Sequence, residues 1–164
     1  MTNQRRSTQK GVTIIEFTII SAVTLLLIIA IFEAGYFVFS MQSLNDLTRR
    51  TARIATVCQV DQLATVKSLA LSEKAPLGIT ANNLQVTYLD KEGEEVDDPS
   101  GDHSSIYYVR AGIVNYQYGF TGILSFLGNN GLLTIPPFQT ILPAESLGVE
   151  RLDADGDPQY ADCQ

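Results

Sequence analysis

The feature that most constrains this chain is a carboxyl group inside an apolar stretch. From Val12 to Phe39 the only charged residues are Glu16 and Glu33, whereas the preceding MTNQRRSTQKG is polar, carries Arg5, Arg6 and Lys10, and contains no acid. The longest uncharged run, Phe17 to Phe32, has 16 residues. As helix it covers about 24 Å, short of the roughly 30 Å hydrocarbon core of a bilayer. Extending the run back to Val12 gives 21 residues and about 32 Å, enough to cross, but only with Glu16 inside. A charged acid at the bilayer centre costs on the order of 2.5–3.5 kcal/mol. A chain that keeps one there needs something to compensate it.

The basic residues set the orientation. Arg5, Arg6 and Lys10 lie close to the start of the apolar stretch, while Arg49, Arg50 and Arg53 lie ten or more positions past Phe39. Positive charge concentrates on the cytoplasmic side of a span, so the N-terminus is expected in the cytoplasm and the rest of the chain across the membrane. A secretory signal peptide also begins with a basic region, but its apolar core has about 7–15 residues and ends at a small-x-small site. Here the run is longer, and its one candidate exit, Ala34-Gly35, follows the charged Glu33.

The junction Lys10-Gly11-Val12-Thr13-Ile14-Ile15-Glu16-Phe17 is a basic leader ending in Gly, four neutral residues, then Glu-Phe opening an apolar helix. It resembles a type IV prepilin cleavage site. With the second acid in FEAGYF and the basic TRRTARIAT that follows, residues 10 to 58 resemble the TadE/TadF family of minor pilins (pseudopilins) of the Tad/Flp, or type IVc, pilus. The spacing does not separate TadE from TadF or TadG-like subtypes. The resemblance implies cleavage after Gly11 by a prepilin peptidase on the cytoplasmic face, leaving Val12 as N-terminus. It also implies partners among other pilin and pseudopilin subunits and the pilus assembly machinery. Removing the leader takes away three basic residues and no acid, moving the formal charge from −7 to −10.

Glu16 acquires a physical role if that cleavage occurs. A new ammonium at Val12 lies four residues away, one turn along the same helix face. In apolar surroundings a lone carboxylate protonates or pairs with a cation, and this amine, on its own helix or a neighbour's, can neutralise it. The resemblance implies the inter-subunit pairing, which would set the axial register of assembly, with Phe17 beside it. The alternative places Glu16 among the cytoplasmic headgroups, solvated or paired with Lys10. Glu33 has two readings as well: alignment with Glu16 in one polar seam facing a partner, or a place at the outer interface beside an anchoring Tyr36.

The expected domain plan has a leader at 1–11, a long helix at 12–58, and a body at 59–164. The helix divides into a membrane span at about 12–39 and an extracytoplasmic continuation at 40–58. In Met41 to Cys58, Leu44, Leu47, Thr51, Ile54, Ala55 and Cys58 recur at helical spacing with no Pro or Gly, while Arg49, Arg50 and Arg53 fall on the polar side, which is either a solvated face or one that docks onto acidic lipid or another subunit. Gly35 is the one candidate weak point of the rod. In the body, Val60–Lys74 reads as a second helix, Leu84–Leu89 as a strand, and Asp90–Ser105 as a mobile acidic loop. Tyr107–Tyr118 reads as one strand bent at Gly112, Phe120–Asn130 as a short helix or a loop against the membrane or a partner, and Leu132–Gly148 as a last strand interrupted at Pro136-Pro137. The predicted fold is α+β, a small antiparallel sheet packed on the long helix.

Composition narrows the function classes. With 11 Lys plus Arg against 18 Asp plus Glu, the chain repels phosphate backbones, which argues against nucleic acid. Cys58 and Cys163 form no metal-spaced pattern, and in an extracytoplasmic body they read as a disulfide tying the tail to the end of the rod, the alternative being two unpaired thiols. Asp153, Asp155 and Asp157 resemble the start of a calcium loop, yet Pro158 stands where the turn glycine belongs and Gln164 where a bidentate Glu belongs. A solvated acidic tail is the simpler reading, so no metal and no cofactor is expected. The single His103 and the absence of a nucleophile, phosphate-loop or paired-His motif argue against an enzyme. Two functions remain: a processed minor pilin contributing to pilus biogenesis and surface attachment, or an unprocessed membrane-anchored extracytoplasmic binding or scaffold domain.

Overall fold

A computed structural model describes residues 12–71, 75, 78–120, 122–126, 132–152, 158–160 and 163. One helix dominates it. The α1 helix runs from Val12 to Val57, 46 residues, a rod of about 69 Å. It passes through Gly35 unbroken, and there a Cβ would meet nothing within 4 Å. With no proline in the run and one glycine, nothing in the sequence interrupts the hydrogen-bond ladder.

The two halves of α1 have different surroundings. From Ile14 to Ile29 every residue is exposed, whereas from Ser40 onward one face is buried under the rest of the chain. That face carries Leu44, Leu47, Ala52 and Ala55, the residues whose helical spacing marks an amphipathic stripe. It also buries four hydroxyl side chains, Ser40, Thr48, Thr51 and Thr56. Each donates to a carbonyl of the preceding turn, Ser40 to Tyr36, Thr48 to Asn45, Thr51 to Leu47 and Thr56 to Arg53. Buried hydroxyls satisfied this way need no outside partner, and their small size lets a sheet approach closely.

A 3-10 turn at Val60–Gln62 leads into α2, Leu63–Leu71, which folds back on α1. The body then builds a sheet from β1 (Leu84–Leu89) and β2 (Tyr108–Ile113). Next come β3 (Gln117–Gly119), β4 (Leu132–Thr134) and β5 (Gln139–Pro143). The main sheet has the order β1-β2-β5, antiparallel throughout, with Leu84 opposite Ile113 and Val109 opposite Leu142. Alternate residues of β2, Val109, Ala111 and Ile113, are buried toward the helix, as a half-buried strand requires. The Thr48 and Thr140 hydroxyls, 3.0 Å apart, share a hydrogen bond that fastens β5 to α1. The architecture is α+β, a long helix with small antiparallel sheets packed on its C-terminal half.

Two local expectations change. Tyr107–Tyr118 is two strands, and the break falls at Asn115, not at Gly112. Gly112 is paired on both sides, to Gln85 and Gln139. Asn115 takes φ 53°, a left-handed conformation that Asn tolerates better than most residues. The Asn83 amide holds the break by donating to the carbonyls of Val114 and Asn115. Leu132–Gly148 is likewise two strands in different sheets, because β4 pairs with β3 while β5 joins β2 across the Pro136-Pro137 corner.

Asp90–Ser105 is a chain of short turns. Asp90 accepts the amides of Glu92 and Glu94, Val96 returns to the Tyr88 carbonyl, and a 3-10 turn spans His103–Ser105. Ser105 and Ser104 donate to Asp102 and hold its carboxyl below the usual range. The tail, finally, contains a hairpin of β6 (Val149–Leu152) and β7 (Pro158–Tyr160). Asp153, Asp155 and Asp157 lie outside the described residues.

The far end of the rod is closed by a corner and a bridge. Leu147 and Gly148 take φ 47° and 83°, and the Leu147 amide donates to the Thr56 carbonyl at 3.0 Å. Cys58 and Cys163 are joined by a disulfide with Cα atoms 5.5 Å apart. The Cys163 amide donates to the Gln62 side chain at 2.9 Å.

Candidate functional site

The uncovered half of α1 is the part of the molecule with no folded-protein explanation. Ile14, Phe17, Ile31 and Phe32 are each 70% or more exposed, and no element of the body packs along Ile14–Ile29. Sixteen consecutive residues of this kind left in water forfeit the burial that drives folding. A bilayer supplies it. The segment is long and apolar enough to cross one, and it lies near the N-terminus with none of its apolar window buried. A cleavable signal would be separable from the domain behind it. Here the same helix runs on unbroken into the core of the body.

Glu16 sits on this uncovered half, exposed, in the second turn of α1. The first turn holds no acid, so Glu16 is the carboxylate nearest the positive end of the helix dipole. From Val12 to Glu16 the rise is about 6 Å, one turn. Gly11, on the other side of the expected cleavage point, lies outside the described residues.

Glu33 is not aligned with Glu16. Their 17-residue separation is about 4.7 turns, which leaves roughly 100° between them. Glu33 turns toward the body instead. Its Oε2 accepts the Leu124 amide at 2.8 Å across 91 positions of sequence. Leu124 belongs to a 3-10 turn, Ile123–Phe126, part of the segment expected to be a short helix or a loop against membrane or partner. Gly122, at φ 129°, starts that turn, and a Cβ there would collide with Glu33 Oε1. Just above, Phe37 meets Tyr118 edge-on at 5.1 Å and Phe120 at 5.5 Å, and Tyr36 lies 6.3 Å from Tyr118. Burial pushes the Tyr118 phenol above its ordinary pKa. The aromatic cluster and the Glu33 bond therefore fasten the body where α1 leaves its uncovered half. Sequence reading found Glu33 and Tyr36 but not their partners, because a contact across 91 residues leaves no local trace.

Residues 11–53 match the TadE-like protein family. Over that stretch the chain is similar to TadE-like proteins, and the match says nothing of the sheets that follow. The match takes in Gly11, Glu16, Phe17, Glu33 and the first part of the covered helix face, and stops short of Cys58 and the sheets. No curated protein and no solved structure matches the chain. A TadE-like segment together with, among the described residues, one helix long and apolar enough to cross a membrane suggests a Tad pilus-related protein with an N-terminal membrane helix.

Proposed function

We propose that this chain is a minor pilin or pseudopilin of a Tad-type pilus. It is inserted with residues 1–11 in the cytoplasm and its body outside, is cleaved after Gly11 by a prepilin peptidase, and joins other subunits through its N-terminal helix. The observation that carries this reading is a coincidence on one segment. The TadE-like match begins at Gly11, and Glu16, the one acid from Val12 to Phe32 in the uncovered apolar half of α1, stands a single turn past Val12.

Before cleavage Glu16 is a cost in lipid. Afterwards an ammonium at Val12 is available to neutralise it, on the same helix or on a neighbour packed against the uncovered face. Pairing between subunits stabilises one axial stagger of helices over others, because a slip of one turn separates the charges by about 5.4 Å in a low-dielectric medium. The uncovered half supplies the bundling surface and the body, held at the exit of the span, is carried outside.

The test is Glu16→Ala as the only copy in a piliated host. Insertion, processing and steady-state level should persist while pilus production or incorporation of the subunit falls. Normal piliation with that variant would remove the role given to Glu16.

A further inference from the structure

The Ile123–Phe126 turn leaves a large apolar side chain in an unusual place. Phe126 is 73% exposed, more than any other large apolar side chain among the described residues beyond α1, where Tyr107 and Ile141 follow at 50%. Its height is fixed by the neighbouring Leu124, whose amide is bonded to Glu33. Glu33 stands 21 positions past Val12, about 32 Å along the helix against a hydrocarbon core of roughly 30 Å. The turn therefore lies at the outer boundary of the span. Two further rings are at this end of it, Tyr36 and Phe39, 43% and 62% exposed on α1.

Charge agrees with that placement. The body is acidic, yet from Ala111 to Ala144 there is no Asp, Glu, Lys, Arg or His. The segment that reaches the level of the membrane is thus the one free of the carboxylates that an anionic lipid surface would repel. Aromatic side chains at the water–hydrocarbon boundary are favoured because their rings are apolar and tolerate the polar headgroup region.

We propose that the Gly122–Phe126 turn is a second membrane contact, with Phe126 inserted into the outer-leaflet interface beside the exit of α1. The occupant of this surface is lipid, at the headgroup–acyl boundary. Glu33 holds the turn at that depth, and the two contacts together fix the tilt of the rod in the bilayer and the face of the body turned toward it, which a single span leaves free. This rests on the single-span anchoring of α1.

The chain contains no Trp, so single-tryptophan variants of the full-length protein report depth directly. Phe126→Trp, Leu26→Trp in the uncovered half and Ile141→Trp on β5 are reconstituted in vesicles of phosphatidylcholine and phosphatidylglycerol. Part of the phosphatidylcholine is brominated high or low on the acyl chain. Ile141 is next to Thr140, which bonds Thr48, 15 positions or about 22 Å beyond Glu33, and serves as the aqueous reference.

The expected result is blue-shifted emission for Leu26→Trp, quenched most by deep bromines. Phe126→Trp should be quenched most by shallow bromines, and Ile141→Trp should be insensitive to both. If Phe126→Trp behaves like Ile141→Trp while Leu26→Trp is quenched, the lipid contact is overturned and the span stands. If Leu26→Trp is also unquenched, the anchoring itself fails. Loss of pilus incorporation in Phe126→Ser, with Phe126→Trp unquenched, would assign the ring to a neighbouring subunit and overturn the lipid contact.

Discussion

Tyr88 offers a test of how the body's core is built. Its ring is 3% exposed, inside the cluster formed by Ala55, Val66 and Val109. Its hydroxyl finds no hydrogen-bond partner among the described residues. Burial first, and the charge of Asp61 second, push the phenol from its ordinary 10.0 up to about 12. In the unfolded chain the group ionises near pH 10 while the folded protein keeps it neutral. The stabilisation is therefore fully present below about pH 10 and is lost as pH rises through about 12. Two units of difference correspond to roughly 2–3 kcal/mol.

Tyr88→Phe removes both the titration and the unsatisfied hydroxyl. At pH 7 the variant should be as stable as the parent or more stable by roughly 1 kcal/mol, since an unpaired buried polar group costs about 1–3 kcal/mol. The parent-minus-variant difference should then move by roughly 2–3 kcal/mol against the parent between pH 10 and pH 12. Urea unfolding of the full chain in mild detergent, followed by far-ultraviolet circular dichroism without reductant, measures it. A variant that loses more than about 1 kcal/mol at pH 7, or a difference flat with pH, would refute the reasoning.

Two other stability predictions follow from the far end of the rod. The disulfide closes a loop with a sequence separation of 105. Cys163→Ser, or reduction, should lower unfolding free energy by up to about 4–5 kcal/mol in the chain-entropy account, and a change under 1 kcal/mol in the same urea assay would contradict it. Gly148→Ala should cost at least roughly 2 kcal/mol, because its φ is +83° and the new Cβ would lie 2.6 Å from the Gln59 nitrogen. Gly35→Ala, which meets nothing within 4 Å, should be neutral or stabilising by about 0.5–1 kcal/mol through helix propensity.

The parts of this molecule that could be read from sequence are those governed by local period and charge. The continuity of α1 through Gly35, the buried stripe at Leu44, Leu47 and Ala55, the strand at Leu84–Leu89 and the α+β class all follow from spacing that a single segment carries. Sequence could not distribute the later strands among sheets. Whether β4 joins β3 or extends β5 depends on which edge is free after Pro136-Pro137, a property of the assembled sheet. The break at Asn115 was missed for a related reason. Gly112 is the more permissive residue, but the bend is set by Asn83, which bonds the backbone at Val114 and Asn115 from 31 and 32 positions away. At the candidate site, Glu33 was recognisable as an acid that needs a partner. That the partner is a backbone amide of the same chain became visible only with the fold.

If processing creates the amine that answers Glu16, the mature chain must begin at Val12. The mass and N-terminal sequence of the protein extracted from piliated cells test this most directly. Val12 is expected at the N-terminus, with Gly11→Ala or a bulkier replacement at that position retaining the leader. A functional protein that begins at Met1 or Thr2, with an active prepilin peptidase present, would contradict it.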